Sequence, residues 1–402
     1  MRIAKIEDLH CDAGWRHFSF LKITTDTGLV GWSEYMERFG TSGLTSVIHG
    51  LGDVLIGRDP RPVEKITAFL HGIVRMVQGG IAQQAIAAIE NALVDLKAKA
   101  LGIPVYEMLG GPVRDRIPLY WSHCGYVRVR WGDQVKAWTG KEPIRNRADI
   151  VAHAREVAAL GFKGLKTNPM RFDTEKPYVH MPGFNGSPGH PELNITKDIV
   201  DGVVDQMEAF REGAGPRMNL QLDLNFNYKT EGYIRLAQAL EPMDLFWLEM
   251  DMYDPAALAS IRRSSRTRIA SCEALFHRRQ YRPFFEQQAV DVAIIDVPWN
   301  GILESVKIAS LADTYEINIA PHNFNGHIGS LMSAHLCAAV PNVRVMEIDV
   351  EDVPWKDALV THPPVIEGGE LLIPTGIGWG ADVNEDVIRA HPPKDARKGS
   401  PQ

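Results

Sequence analysis

Cysteine is scarce. Only Cys11, Cys124, Cys272 and Cys337 occur in 402 residues, with neither metal-ligand spacing nor the density of a disulfide framework. They read as buried free thiols of a reducing cytoplasm. Positive charge is short as well. Forty-three lysines and arginines face 50 acids, a formal net charge of −7, so an electrostatic footprint for nucleic acid is missing. No apolar run approaches the roughly 20 residues a membrane helix needs. The opening Met1-Arg2-Ile3-Ala4-Lys5-Ile6 alternates like a strand and lacks a signal-peptide core. What is present is ordinary globular composition, 45% hydrophobic and 23% charged. The length suits a barrel of about 250 residues plus a second domain.

The rhythm of the chain divides it in three. Residues 1–115 open with two strands. The second, Phe18 to Thr25, turns at Asp26-Thr27-Gly28 and returns through Leu29 to Trp32, a hairpin signal. Helical stretches follow. The clearest, Ala82 to Ala100, has Ile86, Ile89, Leu93 and Leu96 on one face and stops at Gly102, with Pro104 beyond. This is an α+β pattern. Residues 116–364 alternate strand and helix, with strands expected at 117–124, 162–167, 218–223, 244–249, 268–273, 291–296, 316–322 and 343–347. Eight strands fit a closed α/β barrel. Residues 365–402 are Gly-rich at first, with a short strand at Leu371-Leu372-Ile373 expected to pack back on the N-terminal domain. The tail from Pro392, with Lys394, Arg397, Lys398 and Pro401, reads as frayed. Two stretches, 125–147 and 168–196, are long for strand-to-helix loops and suit lids or oligomer contacts.

Three of the expected strands end in an acid: Asp223, Glu249 and Glu273, spaced 26 and 24 residues apart. One strand plus its return helix needs about that length, so the carboxylates emerge at one end of the barrel, where such barrels do chemistry. Three convergent carboxylates repel one another unless a cation sits between them, and oxygen-only ligands favour a hard ion such as magnesium. Singly, each acid could equally be a helix N-cap. Asp296 and His322 end the next two strands, 26 residues apart. A carboxylate beside an imidazole orients the ring, selects its tautomer and raises its basicity. Lys166 ends the second strand beside the apolar Phe162 and Leu165, which points to an interior ammonium. The first strand ends in Ser122, His123 and Cys124, and the eighth in Glu347.

These residues resemble the enolase superfamily, specifically the mandelate racemase subgroup with its acid-sugar dehydratases. The likeness spans essentially the whole chain, including Ala88-Ile89-Glu90-Asn91-Ala92-Leu93-Val94-Asp95-Leu96 and Leu109-Gly110-Gly111, similar to the family's cap-to-barrel signature. The resemblance implies an α/β fold, a modified TIM barrel (β/α)7β, with an α+β capping domain built from both termini. It implies Mg2+ held by Asp223, Glu249 and Glu273, a base at His322 supported by Asp296, and further site roles for Lys166, Glu347 and Asn225. The implied chemistry is removal of a proton α to a carboxylate, with magnesium stabilising the enediolate, as is known for the family. One position departs. The subgroup commonly carries Lys-x-Lys at the second strand, whereas here it reads Lys166-Thr167-Asn168. With no second lysine as a base, the balance tilts from inversion to β-elimination of water from a sugar acid. Asn168 is left as a substrate contact.

Other substrate contacts are expected from Trp15, Arg16 and His17 in the cap loop, and from His123. Arg128, Arg130 and Arg145 could clamp a distal carboxylate or merely be solvated. Epimerisation or cycloisomerisation through the same enediolate, or a non-catalytic metal-binding barrel, remain as alternatives. The expected partners are a small sugar acid and further copies of the chain, as the resemblance implies.

Overall fold

The computed structural model describes residues 1–37, 41–187 and 190–393. Lys394, Arg397, Lys398 and Pro401, the tail expected to fray, lie outside the described residues.

Three antiparallel strands, Ile3–Ala13, Arg16–Thr25 and Val30–Tyr35, form the cap sheet in chain order. The helix Gly80–Leu101 packs beside them, and sixteen of its 22 residues are buried. It is therefore buried around most of its circumference, as a helix between two layers must be, with Gln83, Gln84, Glu90, Asn91 and Asp95 among the buried residues. Gly102, at φ 72°, adopts the left-handed conformation that stops it.

Seven parallel strands run in the order Arg116–Trp121, Gly164–Thr167, Asn219–Asp223, Trp247–Glu249, Ile269–Ser271, Val292–Asp296 and Asn318–His322. The eighth, Met346–Ile348, pairs with the first, and a bridge between Ile319 and Val343 closes the ring. Helices follow each of the first seven strands, and a 3-10 turn, Asp357–Leu359, follows the eighth. This is the (β/α)7β arrangement. Tyr120, Trp247, Ala270, Val292, Ile294, Ala320 and Val345 fill the barrel interior. A second, larger core joins the barrel strands to their helices and the cap.

The observed strands are shorter than the apolar runs. The fifth stops at Ser271 because Cys272 takes φ 89°, so Glu273 lies just beyond the pairing. The stretch 125–147 is helical for much of its length, at Tyr126–Arg130 and Gly132–Thr139. The stretch 168–196 holds a small ribbon, Met170–Arg171 with Tyr178–Val179. The late strand is Glu370–Leu372, and it pairs with the first barrel strand rather than with the cap sheet. Its continuation does reach the cap: Trp379 donates to Trp32 O at 2.8 Å. Among the described residues, no helix is long and apolar enough to cross a membrane.

Candidate active site

The parallel register brings Asp223 beside Glu249 and Asp296 beside His322 at the C-terminal rim of the barrel. Lys166 reaches toward the middle. Its Nζ donates to Glu249 Oε1 at 3.0 Å and lies 3.0 Å from Glu347 Oε1 and 3.6 Å from Asp223 Oδ2. Burial alone would strip its proton. The Glu249 and Glu347 carboxylates outweigh that and hold the ammonium well above its ordinary range. Glu249 also accepts from Trp247 Nε1 at 2.8 Å. Glu347 accepts from Ser122 Oγ and from Asn323 N, the latter at 2.8 Å. Burial pushes Glu347 up, but Lys166 and His322 bring it down to about 2.

His322 Nδ1 stands 2.7 Å from Asp296 Oδ2. The second oxygen of Asp296 accepts from Trp299 N at 2.7 Å and opens the short helix Val297–Asn300. The acid is thus both a helix cap and the imidazole's partner. A carboxylate on Nδ1 selects the tautomer that leaves Nε2 to accept a proton. Nε2 lies 3.5 Å from Glu273 Oε1. Burial would lower the imidazole, but Glu273 and Asp296 push it up to about 10. Rings flank the imidazole on both sides: Phe324 at 4.9 Å and Trp299 at 5.2 Å between centroids.

Glu249 is pushed up to about 7 by burial and by Asp223 and Glu347 nearby, and Glu273 well above its ordinary range by burial and by Asp251 and Asp223. Buried like charges in this state call for a cation, and the donors are all oxygen, which suits a hard one. As the side chains stand, no three acid, imidazole or thiol groups among the described residues are gathered closely enough to hold an ion. Lys166 takes up part of the space beside Glu249 and Asp223. The donor chemistry fits magnesium, and the carboxylates would have to draw together around it.

The expected substrate contacts divide. Asn168, buried, donates from Nδ2 to Asp223 O at 3.2 Å and to Asn225 Oδ1 at 3.3 Å. Asn225, at φ 45°, donates from its backbone to Asp223 Oδ1 at 2.9 Å. These two therefore brace the third strand end. Trp15 stacks between Trp131 and Phe324, with centroids at 5.5 and 6.0 Å, and so reaches the wall beside His322. His17 is half-buried on the second cap strand, opposite Asp12. His123 Nδ1 lies 2.9 Å from Asp349 Oδ1, and Trp15 meets its ring edge-on at 5.4 Å.

Arg16 is fully buried, and its Nη2 is held by Asp352 at 2.6 Å and Asp349 at 3.2 Å, which ties the cap to the chain after the eighth strand, while its Nε and Nη1 have no hydrogen-bond partner among the described residues. The loop arginines differ among themselves. Arg128 is buried against Glu156 and Glu351, Arg130 donates to Tyr126 Oη at 2.8 Å, and Arg145 is exposed 3.7 Å from Asp133.

The sequence reading passed over Asp251. It is buried, pushed up to about 7 by burial and by Asp223 and Glu249, and so adds a fourth carboxylate to the cluster. Its signal was available: it lies two residues past Glu249, on the same face by strand alternation. Asp349, which holds His123, stands in the same relation to Glu347 and offered the same signal, whereas Asn323, which donates to Glu347, carried none.

Residues 13–110 match the family described as mandelate racemase / muconate lactonizing enzyme, N-terminal domain, and residues 149–387 match enolase C-terminal domain-like. The D-xylonate dehydratase of Haloferax volcanii is 29% identical over 380 residues, covering 92% of this chain and 84% of that protein. The D-galactonate dehydratase of Ralstonia nicotianae is 27% identical over 401 residues, covering 96% and 94%. A Burkholderia xenovorans protein, described provisionally as an L-alanine-DL-glutamate epimerase, has been solved with magnesium and fumarate. It is 44% identical, with a TM-score of 0.94 over 98% of this chain and 96% of that one. The matched domains, the closed (β/α)7β barrel under its α+β cap and the acids at its rim leave one conclusion: this chain belongs to the enolase superfamily of enzymes, in the mandelate racemase subgroup.

Proposed function

We propose that this enzyme removes the proton α to a carboxylate and expels a β-hydroxyl as water, turning a sugar acid into a 2-keto-3-deoxy acid. One observation carries the reading. A single base, His322 held by Asp296, stands on one side of the mouth, and the second strand presents the amide of Asn168 where a second lysine would serve inversion. The dehydratase names of the relatives support the same direction.

Asp223, Glu249 and Glu273 would hold magnesium, which when bound supplies Lewis-acid stabilisation for charge building on the substrate carboxylate. Lys166 adds fixed positive charge beside that carboxylate. His322 Nε2 takes the α-proton, and the C–H electron pair passes into the enediolate. Asp296 holds the imidazolium so formed. Collapse of the enediolate breaks the β C–O bond, and His322 returns its proton to the departing hydroxyl. The enol product then tautomerises to the ketone. With its charge engaged by a bound cation, Glu273 would pull less on His322, which would leave Nε2 free to act as the base.

The protein is taken to be cytoplasmic, which four buried free thiols support. It is taken to be a homo-oligomer, which an exposed apolar stripe of Phe69, Ile73, Met76 and Val77 supports.

The test is a screen of mono- and diacid sugars with magnesium for 2-keto-3-deoxy product. Run in deuterated water, the same screen tests the second reading, inversion, which the epimerase description of the Burkholderia protein favours. Substrate that exchanges its α-proton and inverts without losing water overturns dehydration.

A further inference from the structure

The helix Gly80–Leu101 carries the cap-to-barrel motif, yet three of its polar side chains hold backbone that lies just past Asp296. Asn91, fully buried, donates from Nδ2 to Val297 O at 3.2 Å and accepts at Oδ1 from Ile302 N at 2.9 Å. Glu90 accepts from Leu303 N at 2.9 Å, and Gln83 donates to Asn300 O at 3.1 Å. The cap therefore grips both ends of the turn that Asp296 opens. Because one oxygen of Asp296 caps Trp299 N and the other holds His322, a shift of this turn shifts the carboxylate.

A second grip acts on the chain after His322. Glu34, buried on the third cap strand, accepts from Gly326 N and, at 2.8 Å, from Gly329 N. Both lie at the start of the helix His327–Ala339. A Cβ at Gly326 would come within 2.9 Å of the Glu34 carboxylate, so only glycine admits this approach. Between Gly326 and His322 run Phe324, against the imidazole, and Asn323, bonded to Glu347.

We propose that Asn91 and Glu34 are positioning residues: through these two side chains the cap domain sets the angle and distance at which Asp296 holds His322. Neither touches the reacting atoms. The inference rests on His322 being the base, as proposed above. A base placed to within about 0.5 Å needs its supports fixed, and here the supports belong to another domain.

The test joins 15N-histidine NMR of the full-length protein without substrate to steady-state kinetics. A proton on His322 Nδ1, bonded to a buried carboxylate, gives a downfield resonance identified by its loss in His322→Asn. Asn91→Leu and Glu34→Gln are expected to shift or broaden that resonance. They lower kcat about 10- to 100-fold while KM moves less than about threefold. Asn91→Asp keeps the acceptor for Ile302 N and loses the donor to Val297 O, so it falls between. His335→Gln removes a different cap–barrel contact, that of Tyr106 N with His335 Nδ1 at 3.1 Å. It lowers Tm and leaves both the resonance and kcat in place. Should Asn91→Leu not fold, Glu34→Gln carries the test, since it removes no volume. An unmoved resonance in folded variants overturns the proposal, whatever kcat does. A moved resonance in a protein that turns over no sugar acid keeps the positioning role and removes only the dehydratase reading.

Discussion

The two halves of the barrel mouth are built from different materials. The arc from the second to the fourth strand is polar: Lys166, Asn168, Asp223, Asn225, Glu249 and Asp251 lie in one bonded or charge-coupled patch. The arc from the fifth to the seventh strand carries Glu273, Asp296 and His322 against Phe276, Trp299 and Phe324. One wall can hold a carboxylate and stabilise charge. The other excludes water from a single proton carrier, which strengthens every electrostatic interaction there. On the proposed reading, the asymmetry makes proton transfer one-sided, with charge stabilisation from across the mouth.

Removing the proton carrier breaks this division most severely. His322→Asn is expected to cost about 10²- to 10⁴-fold in kcat, the usual worth of a general base. Titration calorimetry should find magnesium still bound, because Asp223, Glu249 and Glu273 are all retained. Full turnover in this variant would end the role given to His322. Next comes the anchor that keeps the cap loop over the aromatic arc. Arg16→Met leaves Asp349 to His123 and Asp352 to Lys356, and is expected to cost about 1–3 kcal/mol of stability. Urea unfolding measures it. A stable variant with a sharply raised KM would return Arg16 to substrate binding.

Apart from Asp251, the polar arc and the dyad were legible in the sequence because their members sit at or just past a strand end, and strand ends recur at the period of a βα unit. That period located Asp223, Glu249, Asp296 and His322 without knowledge of any contact. The ion pairs of Arg16 were not legible, because its partners, Asp349 and Asp352, lie more than 330 residues away and no local pattern marks a buried arginine. The aromatic wall was invisible for the same reason. Trp15, Trp131 and Phe324 come from three separate connections and Trp299 from a short helix, and they meet only in the fold. The Glu370–Leu372 strand was seen as a strand but not as a neighbour of the first barrel strand, since pairing across 250 residues leaves no mark on its composition.

A smaller effect lies behind the aromatic arc. Glu249 and Glu347 have Lys166 beside them, whereas Glu90 is bonded to a backbone N–H. Burial pushes Glu90 up to about 8. An acid that binds its proton more tightly when folded adds stability that is fully present below its ordinary value near 4.5 and is lost as pH rises through about 8. Glu90→Gln mimics the protonated form at every pH. Its urea midpoint relative to wild type should therefore rise steadily across that window. Parallel curves would mean that Glu90 ionises freely in the fold.

The smallest effect, and the most direct test of one-sidedness, is to give the polar arc a base of its own. Asn168→Lys restores the Lys-x-Lys spacing on the second strand. The new amine sits beside Asp223, which holds it charged, so only a small fraction is basic at neutral pH. Bracing of Asn225 is lost at the same time, and dehydration should slow by about tenfold or less, the cost of one buried polar contact. The informative signal is new. In deuterated water, recovered substrate should carry deuterium and a trace of the inverted isomer, because a proton can now be taken or returned on the face away from His322. Coupling this change to His322→Asn separates the faces, since any exchange that survives must come from the lysine. If neither variant shows exchange beyond wild type, Asn168 does not face the α-carbon, and the one-sided mouth must be explained by another residue of the polar arc.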